Sequence, residues 1–356
     1  MSVRQPMSVR QPSVLFLVLA GLLWGTGGLT GSLFGHAAGL APVSVAAYRL
    51  TAGGGLIVAF LTVTGARRPA GRAAWQRIAA VGLLAAVFQS CYFAAVSLTS
   101  VSLATLLTIG CAPVIVQAAS RVLRRPSRGR PVTTCLALVG LALLVGLPSG
   151  GFGESAVLAS AGLAVVAAGG FAALTLLGEV TVDGLDELTT IGYGFLGGGT
   201  VLMAVAAMAG CGLGFTPRPA AIGLLVALGT GPTAVAYTLY LRGLRTSPAG
   251  TAALLSLLEP LTGTVLAVLL LGNRLSITGI AGALLLATAV VVTAVALARL
   301  AGAEDYVVER DLVAVVSAGV TGGWLGYADV PPRRVQGGRQ LGGADVHRGC
   351  GRVVTG

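Results

Sequence analysis

Long uninterrupted apolar runs, separated by short polar connections, dominate this chain. They fall near residues 13–34, 43–64, 78–97, 101–122, 132–148, 156–178, 188–210, 220–241, 248–271 and 276–300. Each is about as long as a helix that crosses a hydrocarbon core, roughly 17–25 residues. The runs are continuous rather than alternating in polarity, so they predict helices and exclude membrane strands. The expected fold is an all-α polytopic membrane protein of about ten transmembrane helices. Composition points the same way: 55% of residues are hydrophobic and only 10% are charged. A soluble domain of this size would lack the polar surface to cover itself.

Charge adds an orientation. The formal net charge is +11, carried by Arg with no Lys. The arginines gather in alternate connections: Arg67, Arg68, Arg72 and Arg77; then Arg121, Arg124, Arg125, Arg128 and Arg130; then Arg242 and Arg245. With Arg4 and Arg10 at the start, this bias predicts N-in and C-in, with Arg218 and Arg274 as exceptions. Positive-inside topology accounts for the charge without a nucleic-acid partner. The connection holding Glu179, Asp183, Asp186 and Glu187 reads as a solvated loop and not a metal site, since its carboxylates come without other ligands. Cys91, Cys111, Cys135 and Cys211 read as small apolar packing residues. The composition changes after about residue 302, and 302–356 reads as a disordered cytoplasmic tail, as 1–12 reads as a cytoplasmic N-terminal tail.

The runs also repeat. A shift of 147 residues brings Ser100 onto Ser247, Leu107 onto Leu254 and Pro113 onto Pro260. Gly27-Gly28 resembles Gly169-Gly170, and Gly53-Gly54-Gly55 resembles Gly197-Gly198-Gly199. This divides the chain into two five-helix units, 13–148 and 156–300. Five is odd, so the second unit must enter the membrane in the opposite sense. Inverted repeats of this kind belong to secondary transporters, with the substrate site near the midplane between the halves.

Three segments carry a closer resemblance: Trp24-Gly25, Tyr48-Arg49-Leu50, and the stretch from Ala234 to Ser276, AVAYTLYLRGLRTSPAGTAALLSLLEPLTGTVLAVLLLGNRLS. In these the chain resembles the drug/metabolite transporter superfamily, of the ten-helix type built from two EamA domains. The resemblance covers about residues 13–300. It implies movement of small metabolites, commonly amino acids. At Pro126 and Asn273 the chain departs from the Glu that the family usually has at the ends of its fourth and ninth helices.

Glu259, followed by Pro260, is the strongest candidate for chemistry. A carboxylate in hydrocarbon costs several kcal/mol unless paired or protonated. It is therefore either a group that exchanges a proton or binds a substrate amine, or a structural carboxylate bonded to a neighbouring helix. Arg49, a third of the way into the second helix, either holds a substrate carboxylate or pairs structurally. Gln89 and Gln117 suit interhelical hydrogen bonds. Trp24, Tyr92, Tyr237 and Tyr240 either line a cavity or belong to packing and interfacial belts. Pro113 and Pro260 mark matching helix kinks. Only two histidines are present, and no HExxH, paired-carboxylate or P-loop motif, so no catalytic residue, metal site or cofactor is expected. The expected function is secondary active export of a small polar metabolite such as an amino acid or drug. The expected partners are that substrate, the lipid bilayer of the plasma (inner) membrane, and protons as candidate coupling ion, in a monomer or homodimer. The alternatives are a flippase for a lipid or lipid-linked carrier and, further off, a polytopic membrane enzyme.

Overall fold

A computed structural model describes residues 11–124, 131–146, 153–272 and 274–321. The chain divides into two units. Met1–Val308 holds the helical bundle; the described part of Glu309–Gly356 is helical to Thr321.

The helices are α1 (Gln11–Ala38), α2 (Pro42–Val63), α3 (Arg72–Leu98), α4 (Val101–Val122), α5 (Pro131–Val145), α6 (Glu154–Gly178) and α7 (Glu187–Met208). Next come α8 (Pro219–Gly229), a π-helical turn (Thr230–Val235) and α9 (Ala236–Leu244), which together make one span. The following span is split into α10 (Ala249–Leu255) and α11 (Leu258–Leu271), and α12 (Ile277–Thr321) closes the series. Nine spans among the described residues are long and apolar enough to cross a membrane; α5 is a shorter apolar helix. The spans match the apolar runs of the sequence. One difference is α3, which starts at Arg72, six residues before its expected start at 78. Another is α12, which continues past residue 300, its expected end, to Thr321. The remainder of the expected tail, 322–356, lies outside the described residues, as do 1–10, Pro126 and Asn273.

Local chemistry sets the ends. Pro42 and Pro219 open α2 and α8, where a missing N–H costs nothing. Ser100 accepts from Leu103 N at 3.2 Å and Asp186 from Thr189 N at 2.6 Å, capping α4 and α7. The α2 C-terminus closes with Gly65 at φ +68°, Gly65 N on Thr62 O and Ala66 N on Leu61 O, a Schellman arrangement.

The two five-helix units interlock. α1 packs on α8, α9 and α11 of the second unit, and α6 packs on α3 and α4 of the first. The same interface is thus made twice with the roles exchanged. Glycine contacts fix the register. A Cβ on Gly54 would strike the backbone of Leu196, and one on Gly199 would lie 2.6 Å from Thr51 N. Both relations follow from one offset of 145 residues, which carries Gly54 onto Gly199 and Thr51 onto Leu196. Likewise Gly53 abuts Gly229, and its counterpart Gly198 abuts Gly82. At α5 and α12, Gly140 meets Leu286 and Gly282 meets Leu144, again reciprocal. The glycine triplets align at an offset of 144 in sequence; the contacts place them one residue further along. This is the pattern of two copies related by a pseudo-two-fold axis in the membrane plane, with α2–α7 and α5–α12 crossing on it.

The ends of the bundle differ. One carries the described Arg67, Arg68, Arg72, Arg121, Arg124, Arg242 and Arg245. Every residue of α10, on this side, is buried, whereas no residue of α11, toward the opposite end, is. The connection between α6 and α7 is not the simple solvated loop that its acidic composition suggests. Asp186 caps α7, Glu187 pairs with Arg245 and lies 4.0 Å from Arg242, and Glu179 accepts from Ala249 N at 2.5 Å. Three of its carboxylates are taken up by helix starts and by arginines of this end, and Asp183 stays exposed. Arg77 likewise donates to the carbonyls of Leu177 and Val180 at the end of α6.

Candidate functional site

Two prolines interrupt the second unit, and each break builds part of one site. Pro232 has no N–H to give the carbonyl of Leu228, four residues back. The hydroxyl of Thr233 donates to that carbonyl instead, at 2.8 Å. The Thr233 oxygen is then free to accept, and Arg49 Nε donates to it at 3.1 Å. Gly53, one turn beyond Arg49 on α2, makes this reach possible: a Cβ there would sit 2.7 Å from Thr233 Cγ2 and 2.9 Å from Gly229 O. The π-helical turn, the small residue and the arginine form one assembly. Thr233→Val keeps the shape but leaves a buried carbonyl and the Arg49 Nε unpaired. The expected cost is about 1–3 kcal/mol, seen as a lower melting temperature of the purified protein than for Thr233→Ser.

Pro260 acts similarly. It cannot donate to Ser256 O, which accepts from Glu259 N at 3.0 Å. The helix breaks at Ser256–Leu257, and Glu259 stands in the first turn of α11. The two repeats part company here, because α4 runs unbroken through Pro113 while its counterpart is split. The backbone carbonyl of Glu259 also packs against α1, where a Cβ on Gly25 would lie 3.0 Å from it.

The sequence-predicted residues converge. Arg49 is near enough for its charge to act on Glu259, yet among the described residues the two form no ion pair. Tyr92 and Tyr237 lie within reach of both charges. Trp24 meets Tyr237 at 4.9 Å and Tyr240 at 4.8 Å between ring centroids. Its indole N–H is buried, with no acceptor among the described residues. Tyr92 OH bonds Thr105 Oγ1 at 2.8 Å and Tyr240 OH bonds Thr175 Oγ1 at 3.0 Å, so these two hydroxyls are engaged. Gln89 is buried on α3, three residues before Tyr92, and makes no hydrogen bond among the described residues. Gln117 stands apart, bonded to Thr134 at 2.7 Å across α4 and α5.

Residues not singled out from sequence complete the surroundings. Phe171 and Phe195 extend the ring cluster, at 5.9 Å from Trp24 and 4.7 Å from Tyr237 respectively. Thr233 is the other addition. The signal that points to it is Pro232, a proline inside an apolar run with a hydroxyl residue beside it.

The model of the EamA-like transporter family matches twice, over residues 11–146 and 158–295. The chain is 28% identical over 268 residues to the uncharacterized transporter YwfM of Bacillus subtilis (strain 168), covering 74% of this chain and 86% of that one. A crystal structure that is 21% identical superposes with a TM-score of 0.66, covering 79% of this chain and 97% of that one, and so shares the fold.

Proposed function

We propose, since this chain belongs to the EamA-like transporter family of the drug/metabolite transporter superfamily and is a multi-pass membrane transporter, that it is a secondary active exporter of small polar metabolites such as amino acids or related drugs, acting in the plasma membrane. One observation carries the proposal. Arg49 from the first repeat and Glu259 from the second stand beside two helix interruptions, within electrostatic range of each other and without an ion pair among the described residues. Arg49 uses its Nε on Thr233, and its remaining donors suit a substrate anion. An intramembrane carboxylate that makes no direct ion pair favours taking up a proton or a cationic group, and on that ground we assign coupling or amine binding to Glu259. The unpaired indole N–H of Trp24 costs free energy while buried. A substrate oxygen would relieve it.

The arginine bias supports an N-in, C-in orientation, with the packed end cytoplasmic. The described conformation is then shut toward the cytoplasm by α10 and the ring cluster, and looser around α11 toward the outside. Growth of cells expressing the protein on toxic levels of amino acids and antimetabolites tests export. Protection against one chemical class is expected. In proteoliposomes an imposed pH gradient should then drive that class across the membrane. Absence of protection, with no gradient-driven flux, would overturn the proposal.

A further inference from the structure

At the arginine-rich end, Arg67, Arg68, Arg72, Arg121 and Arg124 have no ion pair among the described residues. Arg67 and Arg68 lie exposed in the connection between α2 and α3, and neither has an ion pair or hydrogen bond among the described residues. Three acids of this end are already engaged, Asp186 in a cap, Glu187 on Arg245 and Glu179 on Ala249 N, while Asp183 is exposed. Arg67 and Arg68 instead line a cavity of about 230 Å³ together with Leu61, Thr62 and Tyr193.

The surroundings of this cavity are those of a membrane interface. Tyr193 stacks edge-on with Trp75 at 5.7 Å, and Trp75 is 48% exposed. Amphipathic rings of this kind settle at headgroup level. On the membrane side, the last turns of α2 present Phe60 and Val63, 58% and 87% exposed. The Schellman bonds of Gly65 and Ala66 occupy the carbonyls of Thr62 and Leu61 at the α2 C-terminus. Guanidinium groups bind phosphate oxygens in bidentate fashion. An apolar flank, an aromatic belt and two unpartnered arginines follow one another along the membrane normal.

We propose that this cavity binds the headgroup of an anionic phospholipid, its phosphate held by Arg67 and Arg68 and its acyl chains running along Phe60 and Val63. The site is distinct from the Arg49–Glu259 pair and does not depend on what is transported. Native mass spectrometry of the full-length protein, titrated with phosphatidylglycerol or with phosphatidylcholine of the same chains, tests it. A preference of about thirtyfold for the anionic lipid is expected from two arginines at the surface. Arg67→Gln with Arg68→Gln should lose most of that preference. Arg67→Lys with Arg68→Lys should keep part of it, since lysine carries the charge without the bidentate fork, and Arg121→Gln with Arg124→Gln at the same end should keep most of it. On the wild type itself, hydrogen exchange in residues 61–68 should slow with phosphatidylglycerol and not with phosphatidylcholine. A preference that survives the double Gln variant, or exchange that does not respond, would overturn the site. Equal protection by inorganic phosphate alone would overturn the lipid and leave a free-anion site.

Discussion

Glu259→Gln is expected to uncouple transport from the proton gradient while leaving the fold intact. Glutamine keeps the size and hydrogen-bonding outline of the side chain but cannot gain or lose a charge. The helix break should persist, since Pro260 and the Glu259 N to Ser256 O bond both remain. The lost interaction is a charged one inside the membrane, worth about 1.5–3 kcal/mol, so gradient-driven flux in proteoliposomes should fall roughly ten- to hundredfold. Exchange of substrate across the membrane without a gradient should fall less. Arg49→Gln should behave differently, weakening substrate affinity more than gradient response, because its role is in holding an anion. Should Glu259→Gln respond to the gradient like the wild type, Glu259 is a structural carboxylate. Glu259→Ala is the poorer probe, since it adds a cavity to the loss of charge.

How much of this was legible in the sequence depends on the distance over which each feature is determined. The spans were legible because a bilayer demands about 20 apolar residues in a row, and that demand is local. The start of α3 was not. Arg72, Trp75 and Arg77 fill its first turns, and a polar turn at the interface hides a helix from a hydropathy pattern. Glu259 and Arg49 stood out because charge inside an apolar run is costly wherever the run packs. Thr233 did not, because threonine is ordinary in membrane helices. Its importance arises from Pro232 beside it and from Gly53, which lies far off in sequence and lets Arg49 approach. The acidic connection was misjudged for a related reason. Composition records that carboxylates are present, not that a helix start and Arg245 come to meet them. The repeat register shows the same limit. A run of three glycines aligns equally well at adjacent offsets, and only the reciprocal contacts separate 144 from 145.

That register makes the sharpest claim about stability, because it distinguishes neighbouring glycines. In Gly53-Gly54-Gly55, a methyl on Gly54 would strike Leu196 N and lie 2.7 Å from Gly192 O and 2.8 Å from Leu196 Cα. All three are backbone atoms of α7, which cannot rotate away. The helices themselves would have to separate, on the axis that relates the two repeats. One residue on, a methyl on Gly55 meets only Leu196 Cδ1, at 4.0 Å. The second unit repeats the contrast: Gly199 is closed by Thr51 N at 2.6 Å, while Gly197 has nothing within 4 Å. Gly54→Ala and Gly199→Ala are therefore each expected to destabilise by about 3 kcal/mol or more, the upper range for overpacking. Gly55→Ala and Gly197→Ala should be neutral or slightly stabilising, since alanine is the better helix former. Melting of the purified proteins, followed by size-exclusion chromatography after heating, separates the pairs. If Gly54→Ala melts with Gly55→Ala, α2 and α7 do not cross where the pseudo-two-fold axis requires. The inverted relation between the repeats then has a different register. The juxtaposition of Arg49 with Glu259 rests on that same crossing, because it is α2, seated against α7 and the π-helical turn, that carries Arg49 to the second repeat.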